Sequence, residues 1–160
     1  MSFSCGRSNR VIDRETYTIY LALQDTVQKL QVYGYARLRY FRIAESALSK
    51  GIESTGSNAF GNTKQSLLDS LLTSLNELRE GTQLFSVITS EIQNLKPNSD
   101  HPDSVVRFIL HADSLSTIFH QQHDAINQET KRAEKLYLAY TGKRWSLDSL
   151  PRQIPLKQSQ

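Results

Sequence analysis

Three arginines and three tyrosines fall within the ten residues Tyr33-Gly34-Tyr35-Ala36-Arg37-Leu38-Arg39-Tyr40-Phe41-Arg42. Guanidinium groups beside phenol rings suit phosphate contact combined with base stacking. The same pair is also enriched where proteins bind proteins. Helical geometry decides which of them act together. At about 100° per residue, Tyr35, Arg39 and Arg42 lie on one flank of the Leu30–Leu38–Phe41 stripe, and Tyr33, Arg37 and Tyr40 lie on the other. These six are the candidate partner- or nucleic-acid-binding residues. The competing reading uses them internally, with tyrosines lining the edge of the core and arginines snorkelling to acids on the second helix.

A second polar cluster is His120, His123 and Asp124, with His111 and Asp113 a few turns earlier. Histidines three apart share a helix face and can share a metal. A closed site needs about four ligands, however, and this face offers two or three. Carboxylate sites in bundles use Glu-x-x-His on facing helices; Glu77, Glu80 and Glu91 have no such histidine. The trio is therefore a weak metal candidate, better read as a solvated stretch, and no cofactor is expected. The run from Gly56 to Thr63 nearly matches a phosphate-binding loop, but Asn62 stands where the lysine is required and no buried strand precedes it. It reads as a flexible loop. Cys5 has no positioned base, and no Gly-x-Ser-x-Gly occurs. Catalysis is not expected, and no small-molecule substrate is evident.

Three helical stretches must carry these residues, at roughly 14–50, 64–96 and 103–141. The first stripe is Tyr20, Leu23, Val27, Leu30, Gly34, Leu38, Phe41, Ala44, Leu48, with Asp13 or Thr16 as cap and Gly51 as stop. The second is Leu68, Leu71, Leu75, Leu78, Thr82, Phe85, Ile88, Ile92, Leu95, widened by Leu67, Leu72, Leu84 and Val87. A face that broad meets two neighbours. Pro97 ends it, and Asp103 is the next expected cap. The third stripe is strong from Val105 to Phe119, thins to Ile126 and Ala133, and recovers at Leu136, Tyr137 and Tyr140, with Gly142 as stop. A bundle whose stripe thins in this way is incompletely filled, so a partner helix or a second copy is expected to complete it. Helices this long, about 50–55 Å, exceed the average of roughly 11 residues, so breaks near Gly34, near Gly81 and around 120–125 are open to the chain; at Gly34, on the apolar stripe, either a break or a close packing contact is expected. The fold class is all-α: an elongated up-down bundle of three helices, or four if the first breaks at Gly34. Residues 1–13 and 142–160 read as a basic N-terminal segment and a polar tail, with Trp145, Leu147 and Leu150 folding back. Leu78-Arg79-Glu80-Gly81-Thr82-Gln83-Leu84-Phe85, followed by Thr89 and Ile92, resembles the end of the V-shaped coiled arm of ALIX-type ESCRT adaptors. That resemblance implies a helical rod and assigns no site residue.

The bulk properties fit one domain: 160 residues, 38% hydrophobic, 22% charged and a net charge of +3. The charge is uneven. Residues 1–50 hold eight Lys/Arg against four Asp/Glu, while residues 51–100 hold three against six. One cysteine rules out an intrachain disulfide, no run of about 18 apolar residues spans a membrane, and the N-terminus lacks a signal-peptide core. A reducing, cytoplasmic setting is expected. Together these features predict a non-catalytic interaction or assembly subunit that binds a protein partner or itself. The alternative is a small nucleic-acid-associated protein, such as a ribonucleoprotein or capsid subunit, using the Arg/Tyr rows.

Overall fold

A computed structural model of the chain describes residues 12–55 and 62–145, with the side chains of 62 and 63 excepted. The readings for the N-terminal segment with Cys5, for the near-phosphate loop and for Leu147 and Leu150 lie outside the described residues. The described residues form three α-helices: α1 (Arg14–Ser54), α2 (Asn62–Asn94) and α3 (Pro102–Thr141). Every pair of them is in contact. The chain is an all-α helical bundle.

Local chemistry sets most of the helix ends. Asp13 caps α1: its carboxylate accepts from the Thr16 amide at 2.8 Å and from the Thr16 hydroxyl at 2.8 Å. Those bonds hold the Asp13 carboxyl below the usual carboxylate range. Gly142 ends α3 in the left-handed conformation, φ 70°, with its amide bonded to Leu138 O. α2 closes at Asn94, just ahead of Pro97. Two expected ends are corrected. Gly51 does not stop α1, which runs on to Ser54. Its role is packing, because a Cβ there would lie 2.7 Å from the Tyr137 ring of α3. The cap of α3 is His101 and not Asp103; Pro102 takes the first helical position, where no amide is needed.

None of the three breaks occurs. α1 is continuous across Gly34, α2 across Gly81 and α3 across 120–125, giving helices of 41, 33 and 40 residues. The described residues therefore form the three-helix version of the bundle, with α1 unbroken at Gly34. The glycines are close-packing points. A Cβ on Gly34 would stand 3.1 Å from Thr89 and 3.2 Å from Phe119, and one on Gly81 would stand 3.0 Å from Ile126. Losing about 1 kcal/mol of helix propensity is tolerated where it lets three backbones approach.

The core follows a seven-residue interval: Tyr20, Val27, Gly34, Phe41, Leu48 on α1; Leu71, Leu78, Phe85, Ile92 on α2; Val105, Ala112, Phe119, Ile126, Ala133, Tyr140 on α3. Such spacing keeps long helices in register with their neighbours. Phe41, Phe85 and Phe119 form its centre, with ring centroids 5.4 Å and 4.8 Å apart. α2 does meet two neighbours, but Leu72, Leu84 and Val87 are exposed. Leu67 packs half-buried against the core as expected, and the rest of the width comes from Ser74 and Thr89, both buried. At the far end Trp145 is buried beside Tyr137.

The packing makes opposite predictions for two residues. Phe85→Ala empties the ring cluster and should lower unfolding free energy by about 3–5 kcal/mol. The buried Thr89 hydroxyl has no hydrogen-bond partner among the described residues. Thr89→Val keeps the shape and should stabilise by about 1 kcal/mol. Urea denaturation followed by circular dichroism measures both, and a destabilised Thr89→Val would show that its hydroxyl is satisfied.

Candidate functional site

The two Arg/Tyr rows of α1 meet different fates, because α1 runs unbroken through Gly34 and so brings its Tyr33–Arg37–Tyr40 flank onto α3. Arg37 is half-buried there. Its Nε donates to His123 Nε2 at 2.9 Å and its Nη2 to Asn127 Oδ1 at 2.7 Å. The guanidinium carbon lies 4.9 Å from the Tyr40 ring centroid, 5.3 Å from Phe41 and 5.7 Å from Tyr33. No carboxylate among the described residues bonds it. Its charge is spread instead over ring faces and two neutral acceptors.

This arrangement fixes the state of His123. Arg37 can only donate, so Nε2 must be the unprotonated nitrogen, with the Tyr33 hydroxyl 3.2 Å away on the same atom. The ring proton therefore sits on Nδ1 and donates to Asp124 Oδ1 at 3.2 Å. The imidazole is only 12% exposed and lies among Tyr33, Phe41, Phe85 and Phe119. Burial is the largest cause holding its pKa below 6.5. The hydrogen bond to Asp124 opposes that shift, and the Arg37 cation adds to it.

The polar middle of α3, expected to be solvated or awaiting a partner, is thus engaged within the bundle. His123 and Asn127 hold α1, Glu129 bonds Ser74 of α2, and Arg132 reaches Glu77 of α2 at 3.1 Å. His120 and Asp124 stay exposed, with His120 against the edge of Phe119. The proposed trio does not converge. Among the described residues no three His, Cys, Asp or Glu side chains gather where they could hold one metal ion.

The other row faces outward. Tyr35 is 60% exposed, and Arg39 and Arg42 are exposed beside it. They line a groove of about 860 Å³ together with Leu38, Ile43, Ala47, Lys50 and, from α2, Ser86, Thr89 and Ser90. Arg42 donates to Ser86 at 3.2 Å. Among the described residues no arginine of the row pairs with an acid of α2; an ion pair between these helices runs the other way, from Arg79 of α2 to Glu45 of α1 at 3.0 Å. Sequence reasoning missed Lys50, Ser86 and Ser90. The two serines are four apart on the flank of the α2 stripe, which was a readable signal. Lys50 lies within the expected first helix, but it is eight residues beyond Arg42 and outside the ten-residue Arg/Tyr run. It also missed Asn127, one turn after His123 and on the same face.

No protein-family model, no curated protein and no solved structure matches the chain. The short likeness at Leu78–Phe85 has no counterpart across the rest of it.

The His123 geometry makes stability depend on pH. Folding favours the neutral imidazole, so its contribution is present in full above the ordinary value of 6.5 and is lost as pH falls below it. Among the described residues the titratable and charged groups facing it are Arg37 and Tyr33 from α1 and Asp124 and His120 from α3, while α2 presents the Phe85 ring. The melting temperature should fall between about pH 7.5 and 5. His123→Gln, whose amide oxygen still accepts from Arg37, should fall less over that range. Equal pH profiles for the two proteins would contradict this account.

Proposed function

We propose that the chain is a non-catalytic helical interaction subunit that docks a protein partner on the outer face of α1. The supporting observation is the split between two rows of similar composition. Tyr33, Arg37 and Tyr40 are consumed by contacts inside the bundle. Tyr35, Arg39 and Arg42 stand outside, with no acidic partner among the described residues, beside a groove that reaches α2. An exposed tyrosine next to arginines is the composition that dominates binding hot spots. Binding rather than turnover also accords with His123, whose Nε2 lone pair is occupied by Arg37. Self-association through the same face belongs to this reading. No helix of the described residues is long and apolar enough to cross a membrane. A cytoplasmic, reducing setting is part of the proposal and rests on the single cysteine.

Nucleic acid is the second reading, favoured by Tyr35: an exposed ring flanked by two guanidinium groups offers stacking plus phosphate contact. It requires retention on a polyanion column that weakens steeply with salt.

Tagged wild-type protein recovered from its native extract should carry a complex heavier than the 18.2 kDa chain by light scattering. Tyr35→Ser, Arg39→Ser and Arg42→Ser combined should reduce it to the chain alone while leaving the helical spectrum unchanged. A complex of unaltered mass in the triple variant would remove the outer row from the interface.

A further inference from the structure

The outer groove has a polarity that narrows its occupant. Arg39, Arg42 and Lys50 stand around it, and no Asp or Glu is among its described lining residues. None of the three makes an ion pair among the described residues. Glu45, on the same helix, is bonded to Arg79 and therefore already neutralised. Arg42 gives one bond to Ser86 and keeps its other donors. Three cations held along one side of a long helix, without counter-charges, repel one another and attract an anion. The floor differs from the rim: Leu38 is buried, and Ile43 and Ala47 are half-buried. A ligand of charge alone would leave that aliphatic surface unused. A run of bases would find flat aromatic surface only at Tyr35.

We propose that this groove takes an acidic polypeptide segment bearing an apolar side chain between its carboxylates, the apolar group on Leu38, Ile43 and Ala47 and the carboxylates on Arg39, Arg42 and Lys50. This rests on the docking face proposed above and names the class of partner it selects. Helical rise sets the scale. Arg39 and Lys50 are about 16 Å apart along α1, a distance that about five extended residues span. A short acidic peptide is therefore long enough to engage both ends.

The test uses the full chain and a fluorescein-labelled peptide, Asp-Asp-Leu-Glu-Glu, read by anisotropy at low salt. Companion probes are the Asn/Gln version, a version with Ser in place of Leu, and a single-stranded oligonucleotide of equal charge. The acidic peptide should bind, and loss of its charges should weaken it by about tenfold or more. Loss of the leucine should weaken it several-fold. Arg39→Glu, Arg42→Glu and Lys50→Glu combined should abolish it; Lys50→Glu alone, on an exposed position, guards against a folding artefact and should weaken it measurably. Equal binding of the uncharged peptide, or an oligonucleotide that binds more tightly than the peptide, overturns the proposal. If no peptide binds but the Tyr35/Arg39/Arg42 variant still loses its native complex, the acidic class is wrong and the docking face stands. If neither occurs, both fall together.

Discussion

Where Gly34 of α1 meets Thr89 of α2 and Phe119 of α3, the helices approach closely: a Cβ would stand 3.1 Å from one neighbour and 3.2 Å from the other, tighter than ordinary van der Waals contact. This three-way approach fixes the rest of the register. Along α1 and α3, which run in parallel, Tyr20 packs on Phe108, Arg37 on His123 and Gly51 on Tyr137. Those pairs lie 86 to 88 residues apart in the chain. Along the antiparallel α2, Gln31 bonds Ile92 O at 3.0 Å, Gln93 returns a bond to Gln31 O, and Arg79 meets Glu45. A slip of one residue would rotate every seam position by about 100°. It would drive a side chain into the space that Gly34 leaves open. The register is steric first, and the polar bonds confirm it.

Given that register, the polar middle of α3 becomes intelligible. Arg37 projects toward α3 whatever α3 offers. An apolar helix there would strand the cation without partners, which costs several kcal/mol for a buried ion. A carboxylate would form a buried ion pair with its own desolvation penalty. The chain instead supplies a neutral imidazole and an amide oxygen, with three rings whose faces attract the cation, each such contact contributing about 0.5–2 kcal/mol. Partial exposure of Arg37 reduces the penalty further. The arrangement holds only while the imidazole is uncharged, so the same residues that lock α1 to α3 make that lock sensitive to acid.

The seam was legible in the sequence because greasy residues at three-and-four spacing leave no other regular solution. The buried set on α1 is the expected stripe, with only Leu23 remaining half-exposed. Ends written in local chemistry, Asp13 and Gly142, were legible too. Gly51 misled, and Gly34 left a break and a packing contact both open, because glycine carries the same letter whether it ends a helix or admits a neighbour; only the second chain segment, Tyr137 or Thr89, distinguishes the two. The inner site was half legible. A helical wheel places Arg37 and Arg39 on opposite flanks. It does not say which flank a neighbour covers, since that depends on which helix packs on which side. His123 drew notice as a weak metal candidate because it stands three residues after His120, on one helix face. The true signal was its position on the α3 flank that faces Arg37, which needs the α1–α3 register to be seen.

The two rows are similar in composition and differ in environment: one is engaged inside the bundle and the other faces solvent. A change in the inner row must be absorbed by the ring cluster, because Arg37 and His123 touch Phe41, Phe85 and Tyr33. A change in the outer row is met by solvent and two serines. α1 is about 60 Å long and is clamped at its centre by the Gly34 contact, so the outer cations have a fixed rise between them. A rigid display reduces the entropy lost when a ligand docks. Under the docking proposed above, spacing along the helix, and not charge alone, sets which anionic segments fit that face.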